Sequence, residues 1–462
     1  MLSGVLLTGV VVVGSVLGLG GCSPQSAKTD QPPEEAEPKS ASGQKDGASS
    51  SKAADRTLRF DFGPGPVESG YTQILATTLF TRDLGYGFEK GAKVTGVDRG
   101  DADALRRDFC TSNQPFFFSV AVPEGNYNVT VILGDRMKES TTTVKAELRR
   151  LMLEKVHTAA GQWAARTFTV NVRTPRIAGG GEVRLKGREK TTEWWDWDDK
   201  LTLEFSNTRP CVCGLEVAKA EDAVTVFLLG DSTVCDQPGE PYTSWGQMLP
   251  RFFRPGVAVA NHAESGESLR SSLSAGRLAK VASAIRPGDY LFIQYGHNDE
   301  KEHGSGIGAF GNYQTELKQF VREARRHGAT PVLVTPMHRR TFDASGRITN
   351  SHGDYPEAMR QVAREEKVPL VDLLAMSQRF YEALGPEKSA AAFKSGDRTH
   401  HSAYGAYELA RCIVEGIKQN KLDLTKYLAD DVPPFDPSHP DSPADFQVPV
   451  SPGVASAAPL GS

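Results

Sequence analysis

The chain has 462 residues, enough for two to four domains. With 39% hydrophobic and 24% charged residues it has the composition of an ordinary globular protein. Its formal net charge of -4 argues against nucleic-acid binding, which needs a basic surface, but leaves an anionic substrate open, because local charge outweighs the sum.

Met1 to Gly21 is apolar, too short and too Gly-rich for a comfortable membrane span, and it ends in small residues. The ending Leu19-Gly20-Gly21-Cys22 resembles a bacterial lipobox, in which the signal is cut before the Cys and the Cys is lipidated. It departs from that pattern in having no Lys or Arg ahead of the apolar run. Residues 1–22 therefore read as a lipoprotein-type signal segment with Cys22 as the lipidation site. The rest is expected outside the cytoplasm, at a cell surface or in a periplasm, touching membrane only through that anchor. An uncleaved single-span anchor puts it in the same place. Residues 23–56 are rich in Ser, Ala, Pro, Lys, Glu and Gln and have no large apolar side chain, so they read as a disordered linker.

From 57 to 220 the signals are short strands broken by turns. Leu58 to Phe62 alternates, and Phe116 to Val122, Tyr127 to Leu133, Thr141 to Leu148, Arg166 to Val172, Glu182 to Lys186 and Leu201 to Phe205 follow. Glu124-Gly125-Asn126 and Gly179-Gly180-Gly181 separate them. An all-β sandwich of jelly-roll type is expected. Trp194, Trp195 and Trp197, interleaved with Glu193, Asp196, Asp198 and Asp199, form either a packed loop or a platform for sugar rings.

From 221 to 430 strand and helix alternate. Val224 to Leu229 is a continuous apolar run, as in a strand buried on both faces. Val257 to Ala260, Tyr290 to Gln294, Pro331 to Thr335 and Pro369 to Leu373 repeat it. Asn312 to His327 carries Leu317, Phe320, Val321 and Ala324 at helical spacing. The pattern predicts an α/β domain of three layers, a parallel five-stranded sheet with flanking helices. Residues 431–462 are Pro-rich with few core residues and read as a disordered tail. Cys110, Cys211, Cys213, Cys235 and Cys412 fit no disulfide framework, and Cys211-x-Cys213 is too tight for a zinc knuckle. Buried thiols, with room for one bridge, are expected.

In open parallel sheets ligands bind at the carboxyl ends of the strands. The distinctive polar residues fall there: Gly230-Asp231-Ser232-Thr233 after the first strand, Asn261 to Gly266 after the second, and Gly296-His297-Asn298-Asp299 after the third. Asp397-Arg398-Thr399-His400 comes after the last, just before a helix at Ala403 to Lys418. A serine hydroxyl becomes a nucleophile when a histidine takes its proton and a carboxylate fixes the histidine tautomer. Ser232, His400 and Asp397 supply those groups. The Asp-x-x-His spacing selects His400 over its neighbour His401.

Gly230-Asp231-Ser232, Gly266, Gly296-x-Asn298-Asp299 and Asp397-x-x-His400 resemble, in order, the four sequence blocks of SGNH (GDSL-like) hydrolases. Gly-Asp-Ser-Thr-Val with Gly-His-Asn-Asp is similar to the rhamnogalacturonan acetylesterase family. The resemblance covers roughly residues 224–420 and implies an SGNH/flavodoxin-like fold. It also implies an oxyanion hole made of the backbone N–H groups of Ser232 and Gly266 and the amide of Asn298. Each such donor typically contributes about 3 kcal/mol. The opening Phe60-Asp61-Phe62-Gly63-Pro64-Gly65 resembles, more loosely, galactose-binding-like sandwiches that precede some of these esterases.

The expected activity is therefore a carboxylic ester hydrolase that removes O-acetyl groups from a polysaccharide, rhamnogalacturonan or pectin first, through an acetyl-serine intermediate. Acetylated xylan, another acetylated glycan or a lipid ester keeps the chemistry. A non-catalytic, surface-tethered carbohydrate-binding protein is the reading of another class. His297, His352 and Asp354 are candidate substrate contacts, and each also fits a bracing or helix-capping role. No metal-ligand spacing and no phosphate loop is seen, so no cofactor is expected.

Overall fold

The structure, a computed structural model, describes residues 57–452. The expected signal segment 1–22, with Cys22, and the linker 23–56 lie outside the described residues.

The first half is built of twelve strands. They are β1 (Leu58–Phe62), β2 (Thr72–Ile74), β3 (Tyr86–Phe88), β4 (Thr95–Asp98), β5 (Asp108–Thr111) and β6 (Phe116–Ala121). The series continues with β7 (Gly125–Asp135), β8 (Ser140–Ala146), β9 (Arg150–Thr158), β10 (Gln162–Val172), β11 (Lys200–Ser206) and β12 (Cys211–Lys219). One sheet runs β10-β7-β12-β1-β2, with β5 and β4 extending it from β12; the other runs β3-β6-β11-β8-β9. One short α-helix, α1 (Ala104–Arg107), and two 3-10 turns, at Arg188–Lys190 and Trp194–Asp196, interrupt the strands.

Alternation explains the core between the sheets. In β7, Tyr127, Val129, Val131 and Leu133 are buried, while Asn128, Thr130 and Ile132 are half-buried on the other face. Phenylalanines supply much of the volume: the Phe62 and Phe118 rings meet edge to face at 4.9 Å, and Phe116 stacks on Phe205 at 5.3 Å. One sequence expectation needs correction, and one strand was missed. Glu182 to Lys186 forms no strand beyond one isolated bridge, Arg176 to Glu182, because these residues cross to the second half of the molecule. The charged β9 reads poorly as a strand, since residues such as Arg150 are buried there by ion pairing rather than by apolar alternation.

The second half holds a wholly parallel sheet ordered β14-β13-β15-β16-β17. Its strands are β13 (Val224–Gly230), β14 (Val257–Asn261), β15 (Tyr290–Gln294), β16 (Thr330–Val334) and β17 (Leu370–Val371). The helices are α2 (Trp245–Met248), α3 (Leu269–Ser274), α4 (Arg277–Ala282), α5 (Gln314–Arg326), α6 (Tyr355–Glu366), α7 (Leu373–Lys388) and α8 (Ala403–Gln419). Successive side chains of β13 serve opposite faces. Val226 and Leu228 join a core with Met248, Phe380 and Ile413, while Phe227 and Leu229 join one with Leu278, Phe320 and Val362. Helices therefore cover both faces, and the strand carboxyl ends stay open for a site.

The expected tail also needs correction over residues 431–452; residues 453–462 lie outside the described residues. Residues 431–452 contain no strand or helix, yet Phe435 is buried with the guanidinium of Arg411 over its ring at 4.0 Å. Phe446 packs against Tyr404 and Tyr407. Lys145 of β8 donates to the carbonyl of Pro449 and the hydroxyl of Ser451. A few widely spaced aromatic anchors suffice to hold an extended Pro-rich segment whose backbone needs no ladder. All five cysteines among the described residues are buried and unpaired.

Candidate active site

The turn after β13 is locked by its own hydrogen bonds. The N–H groups of Val234 and Cys235 both donate to the carbonyl of Asp231 at 3.0 Å. Asp231 Oδ1 accepts from the N–H and hydroxyl of Thr233, at 2.9 and 2.7 Å. Gly230 is required by space, because a Cβ there would lie 2.6 Å from Val234 and 2.7 Å from the carbonyl of Gln294. Gln294, at the end of β15, spans the sheet: it donates to Thr233 Oγ1 at 2.7 Å and accepts from the indole of Trp245 at 2.8 Å. Trp245 is thus a core residue, 1% exposed.

This turn presents Ser232 to the loop ahead of α8. Ser232 Oγ lies 2.9 Å from His400 Nε2, and His400 Nδ1 lies 2.9 Å from Asp397 Oδ2. Asp397 Oδ1 accepts from the N–H groups of Thr399 and His400 at 2.7 and 3.1 Å. Burial pushes the Asp397 carboxyl up, but the hydrogen bonds from His400 and Thr399 outweigh it and hold the group well below the usual carboxylate range. An ionised Asp397 keeps the proton on Nδ1 and leaves Nε2 to accept from the serine hydroxyl. The neighbouring His401 faces the core, with Nε2 2.8 Å from the Tyr381 hydroxyl, and burial pushes its imidazole down to about 3.

The loop after β14 brings Gly266 to the same place. Asn261 donates to the carbonyl of Val234 at 2.7 Å and to Asp236 at 2.8 Å, tying this loop to the serine turn. Glu264 N–H donates to the carbonyl of Gly230 at 3.1 Å. Gly266 has φ +76°, the left-handed region that favours glycine. Asn298, after β15, donates from Nδ2 to the carbonyl of Glu267 at 3.0 Å, so its amide is fixed and keeps a second proton for another acceptor.

The remaining expected residues divide. His297 Nδ1 donates to Asp231 Oδ2 at 3.2 Å; burial, against the opposing pull of Asp231, pushes the imidazole down to about 4, so it stays neutral at neutral pH. It braces the serine turn. His352 is buried, with Nδ1 2.7 Å from Glu300 Oε2 and Nε2 2.9 Å from the carbonyl of Met337. Both ring nitrogens are occupied, so the expectation of a substrate contact gives way to a bracing role. Asp354 precedes α6 with an exposed side chain that makes no capping bond. Trp197 is buried against His262 and under Arg173, whereas Trp194 is 42% exposed.

Several residues here carry no sequence signal. Gln237 donates to the carbonyl of Ser232 at 2.8 Å. From the sandwich, Arg149 donates to the carbonyls of Gln237 and Tyr242, at 3.0 and 2.9 Å, and pairs with Glu240. Tyr242 in turn meets the His400 ring edge to face at 5.9 Å. Arg150 pairs with Asp236 at 3.1 Å and Asp196 at 3.4 Å, a buried cluster that needs every partner because unpaired buried charge is costly. The contacts of Arg149 and Arg150 with residues 236–242 join positions some 90 residues apart, which no local pattern reveals. Among the described residues no cluster of His, Cys, Asp and Glu is arranged to hold a metal.

Residues 228–406 match the GDSL-like Lipase/Acylhydrolase family, and residues 58–174 match a domain described as Beta-agarase/YXIM esterase-like, galactose-binding domain-like. The chain is 43% identical over 220 residues to the rhamnogalacturonan acetylesterase RhgT of Bacillus subtilis (strain 168), covering 44% of this chain and 94% of the relative. It is 36% identical over 213 residues to the probable rhamnogalacturonan acetylesterase YesY of the same organism, covering 44% of this chain and 95% of that one. The uncharacterized esterase YxiM, also of that organism, is 28% identical over 385 residues, covering 80% of this chain and 93% of its own length, and so spans both halves.

Proposed function

Because the chain belongs to the GDSL-like lipase/acylhydrolase family and is a carboxylic ester hydrolase, we propose that it removes O-acetyl groups from a polysaccharide, with Ser232, His400 and Asp397 as its catalytic residues. The observation that carries this reading is the pair of 2.9 Å contacts that joins the three side chains in line, at the open end of the sheet.

The steps of the proposed reaction follow from that arrangement. Ser232 Oγ attacks the acetyl carbonyl while His400 Nε2 takes its proton. The carbonyl oxygen, now negative, receives hydrogen bonds from the N–H groups of Ser232 and Gly266 and from Asn298 Nδ2. His400 then gives the proton to the departing sugar oxygen, which leaves acetyl-Ser232. Water, deprotonated by His400, attacks that ester, and His400 passes the proton to Ser232 Oγ as the acyl bond breaks and acetate leaves. Asp397 stays ionised throughout and stabilises the imidazolium. Fixed donors around the developing charge supply most of the acceleration.

Rhamnogalacturonan or pectin is the substrate class this proposal names first, supported by two relatives with that activity in their names. The apolar run ending in Leu19-Gly20-Gly21-Cys22 supports export and lipid attachment at Cys22 as part of the same proposal. The test is acetate release from a panel of acetylated polysaccharides by wild type and Ser232→Ala. Release from the pectic backbone, abolished in the variant, is the expected result. Release from xylan alone moves the substrate and keeps the mechanism. Glycan binding with no release from any member refutes the esterase.

A further inference from the structure

We propose that Lys186, a residue of the sandwich half, is a positioning residue for the oxyanion hole. The proposal rests on the ester-hydrolysis reading of the site. It says that the galactose-binding-like half completes the catalytic machinery from outside the hydrolase domain.

Lys186 Nζ donates to the carbonyl of Ser265 at 2.5 Å and lies 2.8 Å from Glu267 Oε1. Ser265 C=O and Gly266 N–H belong to one peptide unit. A trans peptide is planar, with its carbonyl and its N–H pointing in opposite directions. An ammonium that holds the carbonyl end therefore sets the direction of the Gly266 N–H at the other end. It also draws electron density toward the carbonyl oxygen, which makes that N–H a stronger donor to a developing oxyanion. Gly266 itself, at φ +76°, has no side chain to hold this peptide in place, so the anchor must come from elsewhere.

The surroundings tie Lys186 to the second donor as well. The carbonyl of Glu267 fixes the amide of Asn298, and the Glu267 carboxylate is held between Lys186 and Arg277, the latter at 3.7 Å. Arg277 pairs at 2.7 Å with Glu189, whose carboxylate also accepts from the backbone N–H of Lys186 at 2.8 Å. Arg188, two positions on, pairs with Glu193 and approaches Glu264 at 3.8 Å. One short sandwich segment thus grips the Glu264–Glu267 turn on both sides of Gly266. Lys186 touches neither Ser232 nor His400, so it acts through the peptide it holds.

The experiment measures kcat and KM on an aryl acetate for wild type, Lys186→Met and Lys186→Arg. It also measures inhibition by an alkyl boronic acid, whose adduct with a serine hydroxyl mimics the tetrahedral oxyanion. Misplacing one donor predicts a roughly tenfold to hundredfold fall in kcat for Lys186→Met with KM nearly unchanged. Boronate affinity should fall by a similar factor while the melting temperature holds. Lys186→Arg, which keeps a charged donor, should recover most of kcat. Unchanged kcat in Lys186→Met overturns the proposal. So does a fall in kcat that follows a lowered melting temperature with boronate affinity intact, because that is the signature of a packing role. Failure of the esterase reading shows differently, as a wild type no more active than Ser232→Ala.

Discussion

Replacing Asn298 with alanine isolates one donor of the oxyanion hole. Asn298 Nδ2 carries two protons, and one is held by the carbonyl of Glu267 at 3.0 Å, so the other is aimed before substrate arrives. A donor fixed in advance pays no reorganisation when charge develops on the acetyl oxygen. Its loss costs about 3 kcal/mol in the transition state, roughly a hundredfold to a thousandfold in kcat. The variant also releases the Glu267 carbonyl, whose turn carries Gly266, which places the loss toward the upper end of that range. A neutral ester carbonyl accepts more weakly than an oxyanion, so KM should change by less than about threefold. Steady-state kinetics on an aryl acetate, with a melting temperature to show that the fold is kept, measures this. A loss in kcat below about tenfold in a normally folded variant, or a loss expressed only in KM, would refute the assignment of Asn298 to the oxyanion hole.

Two further predictions concern stability. Burial pushes the Asp299 carboxyl up to about 8, so the folded chain keeps a proton there that the unfolded chain loses near pH 4. Between those values the native state binds more protons, and stability contributed by this group falls as pH rises toward 8, then levels. Asn at this position keeps the acceptor for the Leu269 N–H, now 2.9 Å from Oδ1, and does not titrate. Asp299→Asn should therefore flatten the decline in melting temperature from pH 5 to 8; superimposable profiles would count against a protonated Asp299. Phe435→Ala removes a buried ring that sits under Arg411 and should destabilise the protein by about 3 kcal/mol, read from the urea midpoint. An unshifted midpoint would mean that the segment after residue 430 is not held against the domain.

The sequence by itself determined the parts of this protein that local chemistry controls. The continuous apolar run of β13 demanded a strand buried on both faces, and the β7 alternation demanded a strand with one face in a core. Ser232, Gly266 and Asn298 were legible because each sits in a short block in the turn after a strand, and Asp397 and His400 because they form one short block in the loop just ahead of α8. Choosing His400 over His401 needed only the three-residue spacing that lets Asp397 reach its ring. The tertiary structure alone decided what stands behind these groups. His352 fitted a substrate contact and a helix-capping role equally well in the sequence, and Glu300 and Met337 occupy both its nitrogens. The segment after residue 430 looked structureless because its few aromatic residues are too far apart to show a period, and only the surface of α8 gives them somewhere to bind. Glu182 to Lys186 looked like a strand, and became instead the segment that reaches Ser265. Lys186, Arg149 and Arg150 could not be read as functional because charged residues in a strand-rich region resemble an ordinary solvated face. Their partners lie about 80 to 90 positions away, and a pairing over that distance is fixed by how two cores pack together rather than by any periodicity along the chain.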